Sequence, residues 1–367
     1  MVTKYTKRIA YIVFLAVWIM VTLALGHRLK KCKDLPVEQV IEPSIQVEKS
    51  KPLEIYSIEN LSKARVAAGK IEITNEIDSE GDYASYLFKF AHDPTLSYKG
   101  KLKITTGQIN IPANNLELSL KKYPVVLMLR GYVDQELYKT GDGTKNAAGF
   151  FASNGFITIA PDFLGYAGSD KEADNIFESR FQTYTTALSL LKTIELLHNN
   201  LEASSDIGKP LRLTELRTNE SPVFIWGHSN GGQIALTLLE ITKADYPATL
   251  WAPVTKPFPY SILYYTDESE DKGKLIRSEL ALFEADYDVE KYSLFNYLEF
   301  INAPLQVHQG TADNAVPLDW NDDLADILMD LNLDLDYYTY PGADHNMRTV
   351  WNTVINRDLL FFNSFIE

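Results

Sequence analysis

The run from Pro222 to Leu239 restricts the possible folds of this chain more than any other stretch. It opens with apolar residues of high β propensity at Val223–Trp226, turns through Gly-His-Ser-Asn-Gly-Gly, and continues with apolar residues at helical spacing. In a unit made of a strand, a sharp turn and a helix, the sequence Gly-x-Ser-x-Gly forms a tight turn that exposes the serine hydroxyl. The run therefore predicts a strand–turn–helix unit.

The serine of this turn, Ser229, is predicted to be a nucleophile. A turn this tight lifts the hydroxyl above the edge of the sheet. It also requires glycine at Gly227 and Gly231, because a Cβ at either position would meet the neighbouring strand or helix. The start of the helix directs free N–H groups and the positive end of its dipole towards the hydroxyl. The alternative is a glycine-rich loop that holds a serine by chance.

Short apolar segments alternate with amphipathic helical segments on both sides of this unit. The predicted strands are Pro124–Leu129, Phe156–Ala160, Ala248–Trp251, Pro304–His308 and Asp334–Tyr340. The predicted helices are Lys145–Asn154, Phe181–Asn199, Asp319–Leu331 and a terminal helix from about Arg348. This alternation predicts an α/β fold, with a mostly parallel central sheet and helices on both faces. Residues 70–78, 83–90 and 101–111 alternate in the manner of strands and predict N-terminal antiparallel strands.

A serine nucleophile needs a base to take its proton, and the base needs a carboxylate to orient it. Ligands in such sheets bind beyond the carboxyl ends of the strands, so the partners of Ser229 are expected there. Among the six histidines, His345 follows the last long strand, and Asp313 directly follows the strand that ends at His308. We therefore predict His345 as the base and Asp313 as its carboxylate. A structural loop histidine and a solvent-facing turn aspartate are the alternatives.

The order Ser…Asp…His is the one expected of the α/β-hydrolase arrangement. From about Tyr83 to the C-terminus, the chain resembles α/β hydrolases of the prolyl oligopeptidase (peptidase S9) and dienelactone hydrolase branch. The matching segments are GHSNGG, the loop from Pro161 to Ser169, HQGTADNAVP and PGADH. The resemblance implies the α/β-hydrolase fold and a triad made of Ser229, Asp313 and His345.

The chain departs from this family in two places. After the first apolar strand the family usually has His-Gly, whereas this chain has Arg130-Gly131. The resemblance places the oxyanion-hole N–H groups on Tyr132 and Asn230, and backbone donors survive a change of side chain, so the hole is expected to persist. Arg130 is expected to pair with a carboxylate instead. Second, about 120 residues precede the first apolar strand, too few for the β-propeller that sieves peptides in prolyl oligopeptidases.

The segment from Ala252 to Phe300 is predicted to be an insertion in the sheet framework. It is rich in tyrosine and in acidic residues. One interpretation is a small cap that lines an apolar, acid-rimmed mouth of the site. The other, left open, is a surface insertion held by aromatic packing.

Net charge and motif content exclude several classes of function. The formal net charge of −14 argues against nucleic acid as a partner, because phosphates require clustered Lys and Arg. The one cysteine, Cys32, cannot form an intrachain disulfide. No His-Glu-x-x-His, paired Cys-x-x-Cys or phosphate-binding loop sequence occurs, so no metal and no cofactor are predicted.

Residues 1–33 are predicted to form an N-terminal membrane anchor. They hold seven basic residues and no acid, and their apolar run Ile9–Leu25 is about 17 residues long, near the lower limit for a membrane-spanning helix. A cleaved signal is the alternative, and the catalytic domain is expected on the extracytoplasmic side. Residues 34–65, which contain three prolines and many charges, are predicted to be a stalk or linker before a catalytic domain at 66–367.

The predicted function is that of a membrane-tethered serine hydrolase that cleaves ester or amide bonds through an acyl-enzyme. A small ester, acyl or peptide substrate is expected, and a carboxylesterase is favoured over an S9-type peptidase because no propeller fits. The alternative from another class is a catalytically silent binding module that has kept the fold, since fold alone does not determine function.

Overall fold

One nine-stranded sheet forms the framework of the residues described by the computed structural model, which are 50–97, 100–113, 123–196, 222–266 and 269–366. The strands are β1 (Lys70–Glu80), β2 (Tyr83–His92), β3 (Lys103–Pro112), β4 (Val125–Leu129), β5 (Ile157–Pro161), β6 (Val223–His228), β7 (Ala248–Trp251), β8 (Leu305–Gly310) and β9 (Leu335–Tyr340). Their order across the sheet is β1-β2-β3-β5-β4-β6-β7-β8-β9. The first three strands and the β3–β5 pair are antiparallel, and all later neighbours are parallel. The predicted fold class is confirmed.

The main helices lie between the parallel strands, as the alternation of patterns predicts. The helices of the described chain are α1 (Ile58–Lys63), α2 (Lys145–Ser153), α3 (Ile176–Leu196), α4 (Asn230–Thr242), α5 (Tyr260–Thr266), α6 (Lys274–Asp286), α7 (Leu318–Asp330) and α8 (Trp351–Asn363). Four short 3-10 helices occupy Pro52–Tyr56, Val289–Tyr292, Leu294–Asn296 and Leu298–Phe300.

Helices cover both faces of the sheet, and the central strand β4 shows this in its own sequence. Its alternate residues Val125, Leu127 and Leu129 belong to one apolar cluster, which includes side chains of α3 and α4. Val126 and Met128 belong to a second cluster, which includes side chains of α2 and α8. Successive side chains of a strand point to opposite faces, so a strand covered on both sides must be apolar throughout. Each fully buried side chain of this size contributes about 1.5–3 kcal/mol to stability.

Residues 51–65 belong to the folded domain, and the predicted stalk is therefore wrong for this part. They form the first 3-10 helix and α1. Ile55 is exposed, but four other apolar side chains of the segment are at most 6% exposed within the larger cluster: Leu53, Tyr56, Ile58 and Leu61. A compact unit accordingly begins at Lys51. The prolines and charges suggested a linker, and two helices this short are too brief to show a hydrophobic period.

The predicted membrane anchor lies outside the described residues, as does the rest of the predicted stalk up to residue 49. Within the part of the chain that is described, no helix combines the length and the apolar character needed to cross a membrane.

The insertion at 252–300 packs firmly on the body of the domain through aromatic rings. Phe258, Phe283 and Tyr292 are buried and contact the rings of Phe177 and Phe181 on α3, with ring centroids 5.0–6.1 Å apart. Such ring pairs add about 0.5–1.5 kcal/mol each beyond their buried area. The insertion also presents three exposed tyrosines, Tyr260, Tyr264 and Tyr265.

Candidate active site

Ser229 occupies a strained turn between β6 and α4. Its φ of 56° and ψ of −119° lie where residues other than glycine are rarely found, and such a conformation costs about 1–3 kcal/mol. Four backbone hydrogen bonds hold it: its N–H donates to the carbonyl of Trp251 at 2.9 Å, and its own carbonyl accepts from Gly232 and Val254 at 3.0 Å each and from Gln233 at 3.3 Å. Strain held by the surroundings is typical of a functional turn.

The glycines on either side of Ser229 are required by close contacts of the backbone. A Cβ on Gly227 would lie 2.7 Å from the carbonyl oxygen of Gly231, and a Cβ on Gly231 would lie 1.9 Å from the carbonyl oxygen of Leu129. Both contacts are shorter than any real Cβ contact, and backbone cannot rotate away as a side chain can. The turn can therefore approach β4 only with glycine at these two positions.

Asp313 and His345 are brought together by the loops that follow β8 and β9. Oδ2 of Asp313 lies 2.8 Å from Nδ1 of His345. The side chain of Asp313 is fully buried, although the residue as a whole is partly exposed, and the side chain of His345 is 19% exposed. The other oxygen, Oδ1, accepts hydrogen bonds from the backbone N–H groups of Ala315 and Val316 at 2.8 Å each.

These contacts keep the carboxylate of Asp313 ionised. Burial by itself raises the pKa of this carboxyl, but the hydrogen bond with His345 and the two backbone donors outweigh it, so its pKa lies below the ordinary value. A buried carboxylate on Nδ1 fixes the tautomer that leaves Nε2 free to accept a proton, and it stabilises the imidazolium that then forms.

His228, the residue before Ser229, contacts both the backbone and the ring of His345. Its Nε2 donates to the backbone carbonyl of His345 at 3.0 Å, and the two rings lie with centroids 4.7 Å apart. Burial, followed by the proximity of His345, lowers the pKa of His228 to about 4. His228 is therefore neutral near pH 7 and adds no competing positive charge. Sequence reasoning assigned His228 no such role, because its spacing from His345 along the chain gives no signal.

The predicted oxyanion donors flank the nucleophile on two separate elements. Asn230 is the first residue of α4, where the N–H groups have no carbonyl partner within the helix. Tyr132 follows Gly131, and a Cβ on Gly131 would lie 3.0 Å from the Cβ of Ser229, so this loop passes directly beside the nucleophile. Gly131, which precedes Tyr132, and Asn230 therefore both lie beside Ser229.

A cavity of about 260 Å³ opens beside Tyr132 and Asn230. These two residues form part of its wall, together with Tyr166, Arg180 and, from the insertion, Ile262. About half of the lining side chains are aromatic or aliphatic and half are polar or charged, so the cavity can contact both apolar and polar groups of a small molecule. No group of three or more potential metal-ligating side chains occurs among the described residues.

The fold is that of the α/β hydrolases. Residues 211–366, less than half of the chain, match the model of the prolyl oligopeptidase family, Peptidase_S9, and this match indicates a hydrolytic enzyme of the serine hydrolase class. No curated protein sequence is similar enough to be matched.

Solved structures with the same fold include esterases and a peptidase. Acetyl xylan esterase 1 from Thermoanaerobacterium sp. JW/SL YS485 is 14% identical with a TM-score of 0.53, covering 84% of this chain and 93% of that one. The acetyl xylan esterase from Paenibacillus sp. R4 is also 14% identical, with a TM-score of 0.52 and coverage of 86% and 96%. A puromycin-hydrolyzing peptidase of Mycobacterium tuberculosis is 15% identical, with a TM-score of 0.51 and coverage of 81% of this chain but 40% of that one. At this level of identity the similarity establishes the fold alone.

Proposed function

We propose that the chain hydrolyses esters by acyl transfer, with Ser229 as nucleophile, His345 as general base and Asp313 as the carboxylate that orients it. The observation that carries this proposal is the buried hydrogen bond of 2.8 Å between Asp313 and Nδ1 of His345, formed by two loops at the carboxyl edge of the sheet where Ser229 also lies.

In the proposed reaction, Oγ of Ser229 attacks the carbonyl carbon while Nε2 of His345 takes the hydroxyl proton. The N–H groups of Tyr132 and Asn230 stabilise the negative oxygen of the tetrahedral intermediate. The bond to the leaving group then breaks, and the leaving oxygen takes the proton from His345. Water, deprotonated by His345, then attacks the acyl-enzyme and forms a second tetrahedral intermediate. When this intermediate breaks down, the acid is released and Ser229 takes back its proton from His345.

We propose esters rather than peptides as the preferred substrates. The two acetyl xylan esterases are matched over nearly their whole length, whereas the puromycin-hydrolyzing peptidase is matched over 40% of its chain. The cavity of about 260 Å³ beside the donors is also large enough for a short acyl or alcohol group. Ester cleavage demands less of the general acid, because an alkoxide or phenoxide leaves more readily than an amide nitrogen.

The test compares the wild type with Ser229→Ala on short p-nitrophenyl esters and on aminoacyl and prolyl p-nitroanilides. Ser364, an exposed serine near the C-terminus, provides a matched control in Ser364→Ala. We expect Ser229→Ala to lose ester turnover and labelling by a fluorophosphonate probe, and Ser364→Ala to retain both. Ester turnover that survives in folded Ser229→Ala would overturn the assignment of the nucleophile. Absence of probe labelling in the folded wild type would favour a silent binding module, and strong anilide turnover with negligible ester turnover would reverse the preference.

The membrane placement remains a proposal drawn from the sequence of residues 1–33. Within it, residues 9–25 insert as a single helix and the hydrolase domain lies on the extracytoplasmic side. Protease added to intact cells tests the orientation, since a domain that is degraded only after lysis would lie on the cytoplasmic side.

A further inference from the structure

Arg130 directly follows β4 and is 5% exposed, which is unusual for a charged side chain. Its guanidinium carbon lies 3.9 Å from the ring centroid of Tyr166 and 4.5 Å from that of Tyr138. The two tyrosines themselves meet edge to face, with centroids 5.1 Å apart. These rings compensate part of the cost of removing the cation from water.

The hydrogen bonds of Arg130 go to two backbone carbonyls. Nη1 donates to the carbonyl oxygen of Gly131 at 2.9 Å, and Nη2 donates to that of Asp162 at 2.8 Å. The prediction that Arg130 pairs with a carboxylate is therefore wrong. Arg130 donates to the backbone carbonyl of Asp162, and the carboxylate of Asp162 binds other groups.

The carboxylate of Asp162 anchors the loop that carries this carbonyl. The residue is fully buried. Its Oδ1 accepts from the hydroxyl of Tyr138 at 2.7 Å, and its Oδ2 accepts from the hydroxyls of Thr106 at 2.6 Å and Thr140 at 2.8 Å. Arg130 is thus held at one end by a loop that one hydroxyl of β3 and two hydroxyls of the loop after β4 hold in place.

The bond to Gly131 has a direct consequence for Tyr132. The carbonyl of Gly131 and the N–H of Tyr132 belong to one planar trans peptide, in which they point in opposite directions. Holding the oxygen towards Arg130 therefore directs the N–H of Tyr132 away from it. Without this bond the peptide could rotate and present its oxygen where a donor is needed.

We propose that Arg130 is a positioning residue for the oxyanion hole: it locks the Gly131–Tyr132 peptide so that the N–H of Tyr132 faces the carbonyl under attack. This inference rests on the proposed function of Ser229. Arginine suits the task because its planar fork donates in two directions while its faces stack on aromatic rings. Lysine, with a single ammonium group, reproduces the charge but not the fork.

The test uses Arg130→Met and Arg130→Lys, with Arg357→Met as the matched control. Arg357 also stacks on a tyrosine, 4.2 Å from the ring centroid of Tyr338, and donates to Tyr340, but it lies on α8, away from the loop that carries the donor. We expect Arg130→Met to lower kcat on p-nitrophenyl acetate by about 100-fold with KM changed by less than about threefold, the effect of losing one oxyanion donor. Arg130→Lys should recover part of this loss, and Arg357→Met should leave kcat unchanged.

A trifluoromethyl ketone provides a readout that a purely structural role would not alter. Ser229 adds to its carbonyl carbon, the carbonyl electron pair moves to the oxygen, and the hydroxyl proton passes to His345, so the bound hemiketal places an oxyanion in the hole. Its inhibition constant should rise in Arg130→Met by the same factor by which kcat/KM falls. The pH dependence of kcat/KM should keep its shape, because the imidazole and its carboxylate are untouched.

Three results would overturn the inference: folded Arg130→Met with kcat within threefold of the wild type, a loss confined to KM, or an equal loss of kcat in Arg357→Met. If Arg130→Met does not fold, Arg130→Lys decides, since an unchanged kcat there would contradict the role and a lowered kcat with unchanged KM would support it. Failure of the proposed function itself is distinguished by Ser229→Ala. If that variant is inactive while Arg130→Met is fully active, only the role of Arg130 is refuted.

Discussion

Replacing Asp313 by asparagine is predicted to remove nearly all turnover, and the hydrogen bonds around it determine how the new amide would lie. Oδ1 accepts from two backbone N–H groups, those of Ala315 and Val316, and Oδ2 faces Nδ1 of His345. To keep both backbone bonds, the amide oxygen must occupy the position of Oδ1. The NH₂ group of Asp313→Asn is therefore turned towards the imidazole.

An NH₂ group can only donate, so Nδ1 of His345 would have to become an acceptor. The ring proton then moves to Nε2, which can no longer accept the proton of Ser229. The same tautomer change in another serine triad lowers kcat by about 10⁴-fold, equivalent to about 5 kcal/mol of lost transition-state stabilisation. The fold should survive, because the two backbone bonds remain and the lost charge-assisted bond contributes about 1.5–3 kcal/mol.

Asp344, the residue next to His345 in sequence, provides the matched control. Its carboxylate accepts from the backbone N–H of Arg348 at 2.9 Å and lies 3.4 Å from the guanidinium of the same residue. Steady-state hydrolysis of p-nitrophenyl acetate at pH 8 should show the large loss in Asp313→Asn and a change of less than about twofold in Asp344→Asn, with circular dichroism confirming that both are folded. The reasoning is refuted if folded Asp313→Asn keeps kcat within tenfold of the wild type, or if Asp344→Asn loses as much.

Three further predictions concern stability and domain boundaries. Glu240 on α4 is fully buried, and within the described residues neither of its carboxyl oxygens has a hydrogen-bond partner; burial raises its pKa well above 4.5. The native state then keeps a proton that the unfolded chain loses, so the free energy of unfolding should fall by about 1.4 kcal/mol per pH unit as the pH rises above about 4.5, until the native carboxyl ionises. Urea denaturation between pH 5 and 8 should show a flatter dependence in Glu240→Gln, and identical slopes would contradict this assignment. A chain that starts at residue 50 should remain soluble after cell lysis with kcat/KM within about twofold of the full chain, because the described core starts at Leu53. A chain that starts at residue 67 should melt at a lower temperature, since it loses four buried side chains, and equal melting temperatures would show that residues 51–65 are dispensable.

The sequence by itself determined the sheet framework and the turn at Ser229. Each of these features can be read from a short stretch of sequence. A strand buried on both faces, such as β4, has to be apolar at every position. Likewise, a turn that brings Gly231 against the carbonyl of Leu129 leaves no room for a Cβ. Asp313 and His345 could be proposed from their places after late strands, because the carboxyl ends of parallel strands share one edge of the sheet.

Only the tertiary structure decided which groups surround these residues. The packing of residues 51–65, the contact of His228 with the carbonyl of His345, and the partners of Arg130 all join segments distant along the chain. The hydrophobic pattern of a segment indicates which of its faces is buried, but it does not indicate which other segment packs against that face. A buried cation such as Arg130 leaves no periodic trace, because its partners are backbone carbonyls, which every residue carries, and aromatic rings supplied by other loops.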